Sequence, residues 1–301
     1  MKKNKVVAII IVVIVAILCI VKGVGSSGDS KTDATTSKDD KTSAVTSSST
    51  DDKKKTTIQE QVLMDANDVK ITATDYTTDS VLGDGIQLLI ENNSDQDYDI
   101  STDAVIVNNY MITDLFASSI SAGNKSKETL YLSSDQLEAA GIDNIGQIEI
   151  YFTLMDSSTY EVTYRSEVCT IQTSDYDKMD TTPADDGQEI YNSDGIRIVA
   201  KYVDEDSFWG NAVVLYLENS TDKKVTITAD DLAVNGYMMS PFFSSTIYPG
   251  KMAVSDITLL QSDLDTNGIK SVDDVEVSFD ISDADSYQSI ANTGKISFST
   301  K

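Results

Sequence analysis

The amino-acid sequence predicts an all-β protein: two tandem antiparallel β-sandwiches, each with one short helix, behind an N-terminal transmembrane helix and a disordered stalk. Three observations carry this reading. An unbroken apolar run occupies residues 6–21. A tract over residues 23–57 holds almost no apolar side chains. The remainder is written twice: a shift of 127 residues lays 69–173 over 196–300 without a gap, with about 28 identities in 105 positions. The expected boundaries are an anchor over 1–24, a stalk over 25–60, a first repeat over 61–174, an acidic linker over 175–189 and a second repeat over 190–301.

The apolar run follows Lys2, Lys3 and Lys5 and is closed by Lys22. As a helix it is about 24 Å long, a little short of a ~30 Å hydrocarbon core, and Lys22 can snorkel to the interface. The excess of lysine before the run keeps the N-terminus cytoplasmic and sends the remainder outside. The expectation is a single-pass anchor in the cell membrane. Two alternatives stand beside it. A cleaved signal peptide would use the small residues Gly23 and Gly25, but no A-x-A pattern is present. A lipoprotein would use Cys19, but Leu18 stands where a small residue belongs. All three place the repeats outside the cytoplasm.

The stalk is rich in Ser, Thr, Lys and Asp and buries too little surface to offset the entropy of ordering it. Charge divides along the same line. Up to Thr57 the chain has ten Lys and six Asp; beyond it stand 13 Lys+Arg and 43 Asp+Glu, so the net charge of −26 resolves into +4 and −30. An acidic surface of this kind disfavours nucleic acid, whose phosphates require Lys and Arg. With no histidine in the chain, Ser-His-Asp and Cys-His nucleophiles and His-ligated zinc are excluded. Two cysteines cannot build a disulfide framework.

Within each copy, period-2 alternation and turn residues dominate. Val69, Ile71 and Ala73 open the first copy, and residues 86–90 match 212–217. Asn108-Asn109 and its counterpart Asn235-Gly236 mark two-residue hairpins. Gly123 and Gly250 mark a further turn, and residues 148–154 match 275–281. A helix is expected over residues 133–141, from a capping Ser133 to a stop at Gly141. About seven strands and one helix in each copy read as an antiparallel sandwich of immunoglobulin type.

Asn235-Gly236-Tyr237-Met238, the Gly250-Lys251 turn, and Asp263 to Ile269 leading into a Val-Asp-Asp-Val-Glu strand carry a resemblance. The sequence resembles the uncharacterised immunoglobulin-like domains of Gram-positive cell-surface proteins. The resemblance covers both repeats. It implies an envelope-exposed fold with no assigned chemistry, and it supplies no functional residues.

Few side chains suggest chemistry. Asp263, Asp265, Asn267, Gly268 and Asp274 follow the spacing of a calcium loop. The first copy keeps Leu, Gly and Ile at this place but loses the oxygen ligands, which favours a helix stopping at glycine and leaves calcium as a weak candidate. Trp209 could stack on a sugar ring, although its apolar counterpart Leu82 suggests a plug at the end of the sandwich. Tyr110 and Tyr237 follow the hairpin turn in both copies and are candidate ligand contacts or core residues. Cys169 reads as a buried apolar residue. The expected function is non-enzymatic interaction or display at the cell envelope, through an unidentified protein or envelope glycan and without a cofactor. The alternative is a secreted carbohydrate- or wall-glycan-binding module.

Overall fold

Two residues with left-handed backbone sit at each long hairpin tip: Asn108 and Asn109 at φ 47° and 72°, Asn235 and Gly236 at φ 50° and 83°. This is the geometry a tight hairpin demands, and Asn and Gly tolerate it best. A computed structural model describes residues 55–79, 81–207 and 209–300, and all of the second repeat, the linker and the first repeat fall in one unit, Lys54–Lys301.

The first repeat contains β1 (Gln61–Ala66), β2 (Val69–Asp79), β3 (Gly83–Asn92), β4 (Tyr98–Val107) and β5 (Tyr110–Ile112). It continues with β6 (Ala117–Ile120), β7 (Lys125–Tyr131), α1 (Ser134–Ala139), β8 (Gln147–Asp156), β9 (Val162–Arg165) and β10 (Cys169–Gln172). After a 3₁₀ turn at Tyr176–Lys178, the second repeat contains β11 (Gln188–Ser193), β12 (Ile196–Asp204), β13 (Gly210–Asn219), β14 (Val225–Val234) and β15 (Tyr237–Met239). There follow β16 (Ser244–Ile247), β17 (Lys251–Leu260), α2 (Gln261–Asn267), β18 (Asp274–Asp283), β19 (Ser289–Asn292) and β20 (Ile296–Ser299).

The all-β reading holds, with sheets packed face to face over apolar side chains. In the first repeat the four-stranded sheet β1-β2-β3-β7 faces strands β10, β8 and β4, and Ile71, Ile86, Leu88, Ile100, Ile150 and Phe152 fill the space between. In the second repeat β11, β12, β13 and β17 face the sheet containing β14 and β18, over Ile198, Leu215, Ile227, Val277 and Phe279. Each repeat has its helix. Gly141 and Gly268 end them at φ 68° and 66°, as glycine stops should. Ser133 occupies the N-cap position of α1, but its side chain makes no capping bond.

Three features depart from the expected layout. Neither β1 nor β11 shows period-2 alternation in the sequence: Val62, Leu63 and Met64 are consecutive in β1, and β11 has only Ile190 and Tyr191 between polar residues. The last part of the expected stalk belongs to the fold: Ile58 bridges Thr173, and the Thr56 hydroxyl lies 2.6 Å from an Asp175 oxygen. Pairing to the end of the first repeat and packing of Ile58 against the first core hold this segment. The two repeats also share one ten-stranded sheet, ordered β10-β8-β4-β5-β17-β13-β12-β11 with β6 on β4 and β9 on β8, through a parallel pair between β5 and β17. Residues 1–54, with the expected anchor, Cys19 and most of the stalk, lie outside the described residues. Among the described residues no helix is long and apolar enough to cross a membrane.

The Asn/Ser/Asp turns turn out to be built around a buried amide. Asn219 is 0% exposed. Its Nδ2 donates to the carbonyls of Lys223 (2.7 Å) and Ile247 (2.9 Å), and its Oδ1 accepts from the Thr221 N–H and hydroxyl. Asn92 repeats the arrangement with Gln96, Ile120 and Ser94. Asn219→Ala orphans the Ile247 carbonyl and should cost about 1–3 kcal/mol, read as a lower urea midpoint at unchanged slope.

Candidate functional site

Side-chain chemistry concentrates where the repeats meet. Strand β5 is three residues long, and the Asn108-Asn109 turn places it at the edge of its sheet. It pairs with β17 in parallel, Tyr110 opposite Met252 and Met111 opposite Ala253. The Met252 N–H donates to the Asn109 carbonyl at 3.0 Å. Val199, Val214, Tyr216, Met252 and Val254 point away from the second core and are buried against the first. Tyr110, 1% exposed, packs edge-on against Tyr216 with ring centroids 6.5 Å apart. Its hydroxyl accepts the Ala184 N–H at 2.7 Å, which straps the linker across the joint.

Charges close the other side. Asp103 accepts from the Tyr248 hydroxyl at 2.6 Å, from Lys224 at 2.9 Å and from Arg165 at 3.1 Å. Tyr248 stacks at a tilt on Tyr151 with centroids 4.6 Å apart, and the Lys224 ammonium lies 4.7 Å from its ring centre. Lys251 donates to Glu149 at 2.8 Å and to the Asn109 side chain at 3.2 Å. A cleft of about 590 Å³ opens here, lined in part by Asp103, Arg165, Lys223, Lys224, Tyr248 and Asp283. Its opposite charges already face one another, so the cleft reads first as a rigid joint.

Burial raises the Asp103 carboxyl, but the hydrogen bonds from Tyr248 and Lys224, with the charges of Lys224 and Arg165, outweigh it and hold the group below the usual carboxylate range. Burial, and next the bond to Asp103, push the Tyr248 phenol far up. A depressed carboxylate contributes stability above its unfolded value of ~3.9 and loses it as pH falls through the folded value. Protection of the β5 and β17 amides, taken relative to intrinsic exchange at each pH, should therefore fall as pH drops below ~4. Asp103→Asn should flatten that dependence relative to the unchanged chain.

The second repeat presents the same edge with nothing on it. Strand β15 pairs with β14 and ends its sheet. Tyr237, the counterpart of Tyr110, is 50% exposed, Met238 is 62% exposed, and Phe242 is exposed beside them. A shallow groove of about 500 Å³ runs along this edge, lined by residues that include Gly236, Met238, Glu276 and Phe298. One pair of matching tyrosines thus divides into a core residue and a surface residue.

The remaining sequence candidates are not drawn together. Asp263, Asp265 and Asn267 lie on α2, where residues two apart point about 200° from one another, so Asp265 faces away from Asp263 and Asn267. The Asp265 carboxylate accepts from Gln261, and the Asn267 amide donates to the Asp263 carbonyl. Asp274 begins β18. Among the described residues no cluster of three carboxylate or thiol side chains suits a metal ion. Trp209 is not a plug: it is 65% exposed, and Val81 and Leu82 are exposed as well, because these hairpin tips extend past the sandwich. Cys169 is buried, and its thiol lies 2.9 Å from the Leu63 carbonyl; burial pushes its titration up.

The joint was missed at the sequence level, although a signal for it exists. Strand β3 alternates, with Gln87 facing solvent, whereas Ala212-Val213-Val214-Leu215-Tyr216-Leu217 in β13 is apolar on both faces. Likewise Lys125-Ser126-Lys127 in β7 becomes Met252-Ala253-Val254 in β17. A strand apolar on both faces is covered on both faces.

No protein-family model matches the chain, and no curated protein matches it. Three solved structures align loosely. The CupB2 chaperone of Pseudomonas aeruginosa shares 10% identity over 71% of this chain and 91% of its own, at a TM-score of 0.20. The CsuC–CsuE chaperone–tip adhesion subunit pre-assembly complex from the Csu pili of Acinetobacter baumannii gives 11% identity, 68% and 88% coverage, and a TM-score of 0.21. A protein of unknown function from Porphyromonas gingivalis gives 10%, 77% and 90%, at 0.20. Superpositions this loose carry no inference about the chain.

Proposed function

We propose that the protein is a non-enzymatic, membrane-anchored extracytoplasmic protein whose two immunoglobulin-like repeats form one rigid arm that presents the free edge of the second repeat to a protein partner at the cell envelope. The observation that carries the reading is the contrast between the two matching edges: β5 is covered by β17, while β15 leaves Tyr237, Met238 and Phe242 in solvent. Exposed apolar residues beside unpaired backbone groups are the ordinary makings of strand addition. The N-terminal apolar run supports the anchor, and the acidic surface supports a soluble arm. Two measurements test this. Fractionation should find the full chain in the membrane, with the repeats open to external protease only at exposed loops. Hydrogen exchange should show β15 less protected than β5; equal protection would argue that the second edge is covered by the chain itself.

The second reading, binding of envelope glycan, rests on Trp209, whose ring is exposed at the β12–β13 hairpin tip. Retention of the full chain on purified wall glycan, abolished by Trp209→Ala, would favour it over a protein partner.

A further inference from the structure

The free edge of β15 keeps the features that let β5 accept a strand. The shift of 127 residues carries Asp103 onto Asp230, Tyr110 onto Tyr237, Met111 onto Met238 and Glu149 onto Glu276, identical residue types at all four places. In the joint three of these positions meet β17, and Asp103 meets two residues outside that strand. Lys251 bonds Glu149, Lys224 and Tyr248 bond Asp103, and Met252 and Ala253 lie opposite Tyr110 and Met111. On the second repeat Asp230 is exposed and Glu276 pairs with Lys295, their side chains 41% and 60% exposed. An exposed pair of that kind exchanges readily for another partner.

We propose, resting on the interaction-edge reading above, that β15 accepts an extended strand from another protein, parallel to itself, in which a lysine precedes two or three small or medium apolar residues. The lysine reaches Glu276, and the apolar residues cover Tyr237 and Met238. The chain's own Lys251-Met252-Ala253-Val254 is the template for this ligand.

A second copy of this chain does not supply that strand. Its β17 is occupied by its own β5. The first repeat's counterpart of β17 is β7, which does end a sheet, but there Lys125 and Lys127 are exposed and Ser126 stands between them. Behind β7 stand the exposed Gln87 and a buried, polar Thr72 where the second repeat has Val214 and Val199. Lysines on an edge strand and a polar outer face are devices that stop further pairing, as terminal repeats require. The array is thus capped at the first repeat and open at the second.

The test uses the full chain in detergent and a synthetic peptide, Tyr-Pro-Gly-Lys-Met-Cys-Val-Ser-Asp, copied from residues 248–256 with cysteine at the position of Ala253. Oxidation should trap this peptide on a Met238→Cys chain. Trapping on a Met111→Cys chain, whose edge is occupied, should be at least about tenfold lower, and so should trapping of a peptide with glutamate in place of the lysine. The unsubstituted chain, whose Cys169 is buried, serves as the blank. Equal trapping of the lysine and glutamate peptides would overturn the proposed ligand chemistry. If Met238→Cys chains join only to each other, the strand-ligand proposal fails while the interaction edge survives, with the chain as its own partner. If nothing is trapped, both fall. Met238 is exposed, so its substitution leaves the fold in place.

Discussion

Tyr110→Ala should destabilise the described unit by about 3–5 kcal/mol, the usual cost of emptying a fully buried aromatic site. The effect reaches beyond a cavity. The ring fills the space between the first core and Tyr216, and the hydroxyl anchors the linker through Ala184. With both lost, the repeats should unfold in two steps instead of one. The chain has a single tryptophan, Trp209 in the second repeat, so its fluorescence reports that repeat while far-UV circular dichroism reports both. Coincident transitions in the unchanged protein and separated ones in Tyr110→Ala are the expected pair of results. The matching Tyr237→Ala should stay within about 0.5 kcal/mol, because a half-exposed ring has little to lose. Similar costs at both tyrosines would contradict the asymmetry of the two edges.

Lys251→Ala should be the most damaging charge substitution. The Lys251 and Glu149 side chains are only 16% and 11% exposed, and removal of the ammonium leaves the carboxylate with Gln147 as its remaining side-chain donor. Breaking a buried pair from one side costs ~3–5 kcal/mol, and the residual exposure puts this case at the lower end. Glu149→Gln combined with Lys251→Met removes both charges together and should recover most of the loss. With Glu149→Gln and Lys251→Met also measured singly, the coupling in that double-mutant cycle measures the pair across the joint. Additive effects would mean that Glu149 and Lys251 do not act together.

Most of the local structure was legible because it obeys short-range rules. Asn108-Asn109 and Asn235-Gly236 had to turn, Gly141 and Gly268 had to stop helices, and alternation over residues 148–154 and 275–281 had to make half-buried strands. The joint was not legible in the same way. Periodicity assigns a side chain to a face, but it does not say which strand lies beside an edge. Tyr110-Met111 and Tyr237-Met238 are the same dipeptide in the same hairpin, and only the neighbour of the first differs. Asp103 and Asp230 were equally indistinct, since the partners of Asp103 come from residues 224 and 248 of the other copy. The discriminating information lay in the receiving strands, where Gln87 becomes Val214 and Lys125 becomes Met252. It becomes readable only when the copies are compared for their differences rather than their identities.

The shared sheet also constrains the order in which the molecule can be made. Asn109 and Lys251, which meet at the joint, are 142 residues apart in sequence. At a synthesis rate of ~5–20 residues per second, β5 waits on the order of ten seconds for its neighbour. During that interval the nascent first repeat carries a bare strand edge with Tyr110 and Met111 uncovered, the kind of surface on which unfinished chains stick to one another. Completion of the second repeat removes the hazard at β5 and re-creates it at β15, so the growing chain and the finished chain expose the same dipeptide at different times.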